Sequence, residues 1–306
     1  MSSPTGPEAE TRARAHWSEQ RLALGLPESS ETLFDAWHRP FADALARWHT
    51  EAGAALIVGV QGCQGAGKST LCALVPALAQ ELHGLRVAVL ALDDIYLPRR
   101  DREHLSQTCH PLWQTRGVPG THDPVLGAIL LERLRTSTAA DLVRLPVFDK
   151  GLDDRLPADC WREIAGPFDV IIFEGWCMGI RAADISDWSE PVNDLEANED
   201  PDGLWRGRIE RQLLGPYATL FGLLDRLAVM QVPSWETVAL WRGEQEAKLR
   251  ASRREGAPRS LDTAQLARFL AHYERLTRAM IANLPGRADL LAIIAEDRSI
   301  SSVATR

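Results

Sequence analysis

An α/β fold with a mostly parallel central sheet is predicted by three features of the chain. The apolar, β-prone segment Leu56–Gln61 runs straight into Gly62-Cys63-Gln64-Gly65-Ala66-Gly67-Lys68-Ser69-Thr70, and an apolar helical pattern follows to about His83. A second strand, Arg86 to Leu92, comes next, so the unit reads strand, loop, helix, strand, which implies a parallel pair joined by a right-handed crossover. Phe168 to Phe173 is apolar almost throughout, as a strand buried on both faces should be.

The glycine-rich loop matches GxxxxGK[ST] between a strand and a helix, the context in which that pattern cradles a polyphosphate. Glycines 62, 65 and 67 let backbone N–H groups approach the phosphates without a Cβ in the way. The helix beginning near Lys68 adds its unpaired N–H groups and positive dipole end. Lys68 is expected to reach the β- and γ-phosphates and Ser69 to ligate Mg²⁺. The whole run Gly62–Thr70 is therefore the expected ATP site, and the fold narrows to a three-layer P-loop sandwich with extra helices in its N- and C-terminal parts.

The chain has 306 residues and a net charge of −8, with acidic and basic residues interspersed. No basic stripe points to nucleic acid or an anionic membrane. No apolar stretch approaches the roughly 18 residues of a membrane span, and the polar start, Met1 to Arg14, carries no signal-peptide core. Five cysteines, 63, 72, 109, 160 and 177, include no CxxC pair and read as reduced cytoplasmic thiols. Cys63 lies within the phosphate loop, where alkylation is expected to inhibit.

Residues 1–30 read as a disordered or irregular leader and 31–306 as a single domain. Leu33, Phe34, Trp37, Phe41, Leu45 and Trp48 recur at helical spacing from Thr32 to His49, with Ser29 or Ser30 as caps. Thr121-His122-Asp123-Pro124 opens a helix to about Arg135, and Leu142 to Phe148 is a strand. The region 181–215 is expected to be an insert or lid, irregular over the acidic stretch Asp187 to Gly203. Helices follow over Leu204–Leu224, Trp235–Ala251 and Asp262–Asn283, with strands at Leu227–Gln231 and Asp289–Ile294.

In an open α/β sheet, ligands sit beyond the carboxyl ends of the strands. The second strand ends in Asp93-Asp94, and the Phe168 strand in Glu174-Gly175. A carboxylate at either place can accept the proton of an attacking hydroxyl or order Mg²⁺, or can simply cap a turn or face solvent. Asp93 and Glu174 are the candidate acids and, with Ser69, the candidate metal ligands. Arg116 suits a substrate carboxylate, since guanidinium binds one bidentately. Asp123 before Pro124 reads as an N-cap. Lys150, Asp149, Asp153, Asp154 and Arg155 follow a strand and are as readily solvated loop charges. Arg242 and Glu246 form an i,i+4 pair, and the run Arg250, Arg253, Arg254 is a helix end or a source of a lid arginine.

GCQGAGKST, LDDIYL, RGVPGTHD, RLPVFDKGLDDR, VIIFEGWCMG and LWRGEQE, in that order, resemble the D-glycerate 3-kinase family of P-loop kinases from about residue 32 to residue 295. More distantly the chain is similar to uridine, phosphoribulo- and pantothenate kinases. The resemblance implies ATP-dependent phosphorylation of glycerate at its 3-hydroxyl, with Asp93 contacting the acceptor hydroxyl. Ile95 stands where that family often has Phe, and the acidic insert around Asp194–Asp202 is typical of its bacterial and fungal branch. Kinases for pantothenate-, nucleoside- or sugar-like acceptors, and a non-kinase P-loop ATPase, are the alternatives. A GTPase would carry an N-K-x-D motif, which this chain lacks.

Overall fold

In a computed structural model that describes residues 7–251 and 261–305, the first half contains α1 (Pro7–Ala23), α2 (Arg39–Ala52), β1 (Leu56–Gly62), α3 (Lys68–His83), β2 (Val87–Ala91), α4 (Arg99–Thr108) and α5 (Pro124–Arg135). Four short strands follow, β3 (Leu142–Leu145), β4 (Phe148–Asp149), β5 (Asp154–Arg155) and β6 (Arg162–Ala165), and then β7 (Val170–Gly175). The remainder holds α6 (Asp194–Glu199), α7 (Leu204–Leu214), α8 (Pro216–Phe221), β8 (Arg226–Gln231), α9 (Trp235–Ala251), α10 (Thr263–Asn283), β9 (Leu290–Ile294) and β10 (Ile300–Thr305).

The central sheet runs β10–β9–β8–β1–β7–β2, parallel except for β10, which pairs antiparallel with β9. All seven residues of β1 are buried, which is why its sequence shows no alternation. The β1–α3–β2 crossover skips one position, and β7 later fills it, so Gly62, Ala91 and Gly175 finish on the same edge. Buried apolar residues from Ala13 to Ile294 form one cluster around this sheet.

The opposite edge is pinned by aspartates. Asp169, Asp225 and Asp289 each directly precede a strand, β7, β8 and β9 respectively. Their carboxylates accept from the N–H groups of Arg86, Ile57 and Leu227, each at 2.7 Å. Their own N–H groups donate to the carbonyls of the same three residues, at 2.9, 2.8 and 2.8 Å. Each aspartate thus closes a two-bond ring with the neighbouring strand.

Several expectations need correction. The leader is helical over Pro7–Ala23, not irregular. Ala9, Ala13, Trp17 and Arg21 stand four apart on one face and are buried, with α1 packed on α3; two alanines and an arginine made that ridge too faint for hydrophobic periodicity. The helix expected from Thr32 is a 3₁₀ turn (Glu28–Thr32), a π turn (Phe34–His38) and α2. Pro40, second in α2, lacks the N–H an unbroken helix would use, and Arg39 N–H donates to Phe34 O across the wider turn. Neither Ser29 nor Ser30 caps it, since the residue before the 3₁₀ turn is Pro27.

The acidic stretch 187–203 contains α6, with Asn193 accepting from Glu196 N–H at 3.1 Å. Buried pairs Arg275–Glu196 (2.5 Å) and Arg206–Asp200 (3.3 Å) neutralise it and tie it to α10 and α7. Leu204–Leu224 breaks at Gly215-Pro216 into α7 and α8. The strand expected over 142–148 stops at Leu145 and pairs with β6 in a separate two-stranded sheet. Arg253 and Arg254 lie outside the described residues.

His38 is buried and accepts from Trp17 Nε1 at 2.8 Å. Burial pushes its imidazole down from 6.5 to about 4. Because the unfolded chain takes up that proton first, stability is full above pH ~6.5, falls as pH drops towards 4, and changes no further below. His38 contributes a loss of about 3 kcal/mol over that window. Urea denaturation at pH 7, 5.5 and 4.5 should show the slope, and His38→Gln should flatten it; equal slopes for both proteins would rule out this source.

Candidate active site

The phosphate loop joins β1 to α3 as the sequence requires. Gly65 has φ +82° and faces Trp241 of α9, so that a Cβ there would sit 3.0 Å from the Trp241 Cβ. Trp241 is held in turn by its Nε1–H bond to Glu296 O at 3.0 Å. Gly67, φ +91°, turns the chain into α3 with Lys68 as its first residue. Cys63 is only 1% exposed, and burial pushes its thiol up to about 11. It is a packed thiol, not the accessible nucleophile that the alkylation expectation requires; Cys109 and Cys160 are the exposed ones.

The Ser69 hydroxyl donates to Glu174 Oε1 at 3.4 Å. Parallel pairing of β1 with β7 sets Glu174 opposite Val60, two residues before the loop begins. A hydroxyl and a carboxylate side by side are hard oxygen donors of the kind Mg²⁺ takes alongside water and phosphate. Among the described residues no group of three His, Cys, Asp or Glu side chains could hold a metal by itself. A Mg²⁺ here would therefore take most of its ligands from elsewhere.

Asp93 and Asp94 lie on a 3₁₀ turn, Leu92–Ile95, directly after β2. Asp93 is half-buried, and its Oδ2 is 2.7 Å from Lys150 Nζ. Burial pushes the Asp93 carboxyl up, but Lys150, with Lys68, outweighs burial and holds it below the ordinary range. Asp94 turns the other way, accepting from Phe148 N–H at 3.4 Å, and burial pushes it up to about 6. The two acids are thus driven apart by their surroundings.

Lys150 comes from the tight turn between β4 and β5. Asp153 in that turn, φ +54°, pairs with Arg102 at 3.0 Å and with Arg116. The Arg116 guanidinium also lies 5.4 Å from the Phe148 ring centre. It is positioned by its main chain, since Tyr273 donates to Arg116 O and Trp176 Nε1 to Gly117 O, both at 2.9 Å. Gly117 has φ +142°, and a Cβ there would overlap the Tyr273 hydroxyl and ring. Gly117→Ala should therefore cost about 3 kcal/mol or more and raise the acceptor KM by displacing Arg116. Urea denaturation and acceptor titration check both, and an unchanged KM would detach Arg116 from substrate binding.

His122 is buried and stacked on Tyr96 with ring centres 4.2 Å apart. Its Nδ1 meets the Tyr217 hydroxyl at 2.7 Å, and Gly120 N–H donates to that hydroxyl at 3.0 Å. Burial pushes its imidazole down to about 3, so the ring is neutral. Asp123 caps α5, accepting from Leu126 N–H at 3.0 Å. Arg242 and Glu246 form the expected pair, at 2.5 Å.

The structure thus brings Lys68, Asp93, Lys150, Ser69 and Glu174 to one edge, with Arg116 engaged by Asp153 beside them. Sequence reasoning gave no role to Trp176, Tyr273, Trp241 and Asp153. The three aromatics carry no chemical signature apart from core residues, and Asp153 is one of several acids in its loop.

The family described as methylmalonyl Co-A mutase-associated GTPase MeaB matches residues 23–96, the stretch that holds the phosphate loop and its flanking strands. The uncharacterized kinase mug58 of Schizosaccharomyces pombe is 31% identical over 233 residues, covering 72% of this chain and 79% of the relative. The chloroplastic D-glycerate 3-kinase of Arabidopsis thaliana is 26% identical over 251 residues, covering 79% of this chain; the chain spans about half (52%) of that relative. The solved structure of D-glycerate 3-kinase from Cryptococcus neoformans var. grubii superposes with a TM-score of 0.68 at 27% identity, covering 87% of this chain and 97% of that one. With a nucleotide-binding loop, acids at two successive strand ends and these relatives, the chain belongs to the D-glycerate 3-kinase family of P-loop kinases, ATP-dependent phosphotransferases with an alcohol group as acceptor.

Proposed function

We propose that this chain phosphorylates D-glycerate at its 3-hydroxyl, with ATP as donor and Mg²⁺ as the accompanying ion. The observation that carries this reading is the pairing of Asp93 with Lys150 at 2.7 Å, near Lys68. A base and cations for an anionic acceptor thus stand next to a phosphate loop. The relatives named for glycerate support the choice of acceptor.

ATP docks on Gly62–Thr70, where Lys68 and the first turn of α3 face its phosphates. Ser69 and Glu174, with Asp93 at the neighbouring strand end, would hold Mg²⁺, which supplies charge neutralisation at the phosphates when bound. Asp93 orients the acceptor hydroxyl and accepts its proton as the new phosphorus–oxygen bond forms and the bond to the bridging oxygen breaks. Arg116 holds the acceptor carboxylate, with Lys150 and Arg242 as further cations for that carboxylate or the transferring phosphoryl group. Positioning and electrostatics supply most of the rate. Free cysteines throughout the described residues support a cytoplasmic location.

A coupled assay of ADP release, with D-glycerate, L-glycerate, pantothenate, nucleosides and sugars in parallel, tests the assignment. D-glycerate should stimulate most strongly and yield 3-phosphoglycerate. Stimulation by a nucleoside or pantothenate instead would move the chain to another branch of these kinases, and turnover indifferent to every acceptor would favour a non-kinase ATPase.

A further inference from the structure

We propose that Lys150 is a latch on Asp93: with no acceptor present its ammonium occupies the carboxylate that takes the acceptor proton, and an anionic acceptor draws it away. The role rests on the kinase reading above. It answers a problem built into the site, because Asp93 is 35% exposed and water can reach it. With water in the acceptor's place, the same bond to the bridging oxygen breaks, a phosphorus–oxygen bond to water forms, and the water proton passes to Asp93. An ammonium held 2.7 Å from Oδ2 occupies the place from which a water would have to approach that oxygen.

The turn that carries Lys150 is fixed while its side chain is mostly exposed. Asp149 accepts from the N–H groups of Gly151 and Leu152, at 2.7 and 3.0 Å. Arg102 Nη2 donates to Asp153 O at 2.6 Å, and Arg99 N–H to Asp154 Oδ1 at 2.8 Å. The Lys150 side chain itself is 63% exposed, and Asp93 is the partner of its ammonium. Composition points the same way. Of 34 Lys and Arg residues only Lys68, Lys150 and Lys248 are lysines. In so arginine-rich a chain, the tip of this turn keeps a compact charge on a flexible stem, suited to changing partners, rather than a fork that would grip one carboxylate. The triphosphate has Lys68 and the helix terminus; an acceptor carboxylate is the anion left to compete for Lys150.

The test uses Lys150→Ala and Lys150→Met. Acceptor-free ATP hydrolysis should rise roughly two- to fivefold, the factor that an exposed ion pair is worth, while kcat/KM for D-glycerate falls. Lys150→Ala in an Asp93→Asn background should give no such rise, because the latch acts through Asp93. A second readout needs neither turnover nor metal. With three lysines, ¹³C-dimethylation gives a sparse NMR spectrum, in which the signal lost in Lys150→Ala should shift on adding D-glycerate. Hydrolysis that falls or stays constant in the Lys150 variants, or a Lys150 signal indifferent to glycerate, overturns the latch. Glycerate-dependent ADP release by the unmodified enzyme tests the kinase reading separately.

Discussion

Lys68→Ala should lower kcat by at least about a hundredfold while leaving the fold intact. The charge of Lys68 stands at the start of α3, beside the turn made by Gly65 and Gly67. Negative charge shifts towards the bridging oxygen as the γ-phosphoryl leaves, and a fixed cation there costs no reorganisation at that moment. Removing one such donor from a preorganised site typically costs 10²–10³ in rate. The stability cost should be small, within about 0.5 kcal/mol. Lys68 is only partly buried, and alanine suits the first turn of a helix. Parallel measurement of kcat and of the urea midpoint separates the two effects. A variant with near-normal turnover would remove the phosphate loop from catalysis, whatever its sequence pattern.

Asp93→Asn is expected to lower kcat by about 10²–10⁴-fold, the range for loss of a positioned general base. The substitution keeps shape and hydrogen-bonding capacity but removes the basic oxygen and the partner of Lys150. KM for Mg·ATP should change little if Asp93 acts on the acceptor. A raised Mg²⁺ requirement with kcat preserved would instead assign Asp93 to the metal alone. Asp94→Asn is the internal comparison. Its carboxylate is turned to Phe148 N–H, so a loss equal to that of Asp93→Asn would contradict the division of roles between the two acids.

The central sheet and the phosphate loop were legible in the sequence because single-residue chemistry dictates them. Only glycine suits φ +82° at position 65 against an indole, and an uninterrupted apolar run such as Ile57–Val58 or Val170–Phe173 has few places to go except a strand buried on both faces. Strand ends then located Asp93 and Glu174. What the sequence concealed is tertiary in origin. The α1 ridge buries an arginine and two alanines, residues that fit a surface equally well. The stretch 187–203 looked irregular because its acids find their arginines outside it, Glu196 at position 275, far along the chain, and Asp200 at position 206, just past its end. Arg116 was recognisable as a cation, but its tether to Tyr273, 157 residues later, was not.

The paired hydrogen bonds of Asp169, Asp225 and Asp289 have a consequence for how the molecule divides its labour. Parallel strands rich in Val, Ile and Ala offer little side-chain specificity against sliding by a pleat, and a slip of β7 past β2, the pair that Asp169 clamps, would carry Glu174 out of line with Asp93 by the height of a residue or two. A three-point alignment gauge at the far end indexes the strands before any substrate arrives. The catalytic rim can then be made of glycine turns and exposed charges without also having to keep the strands in step.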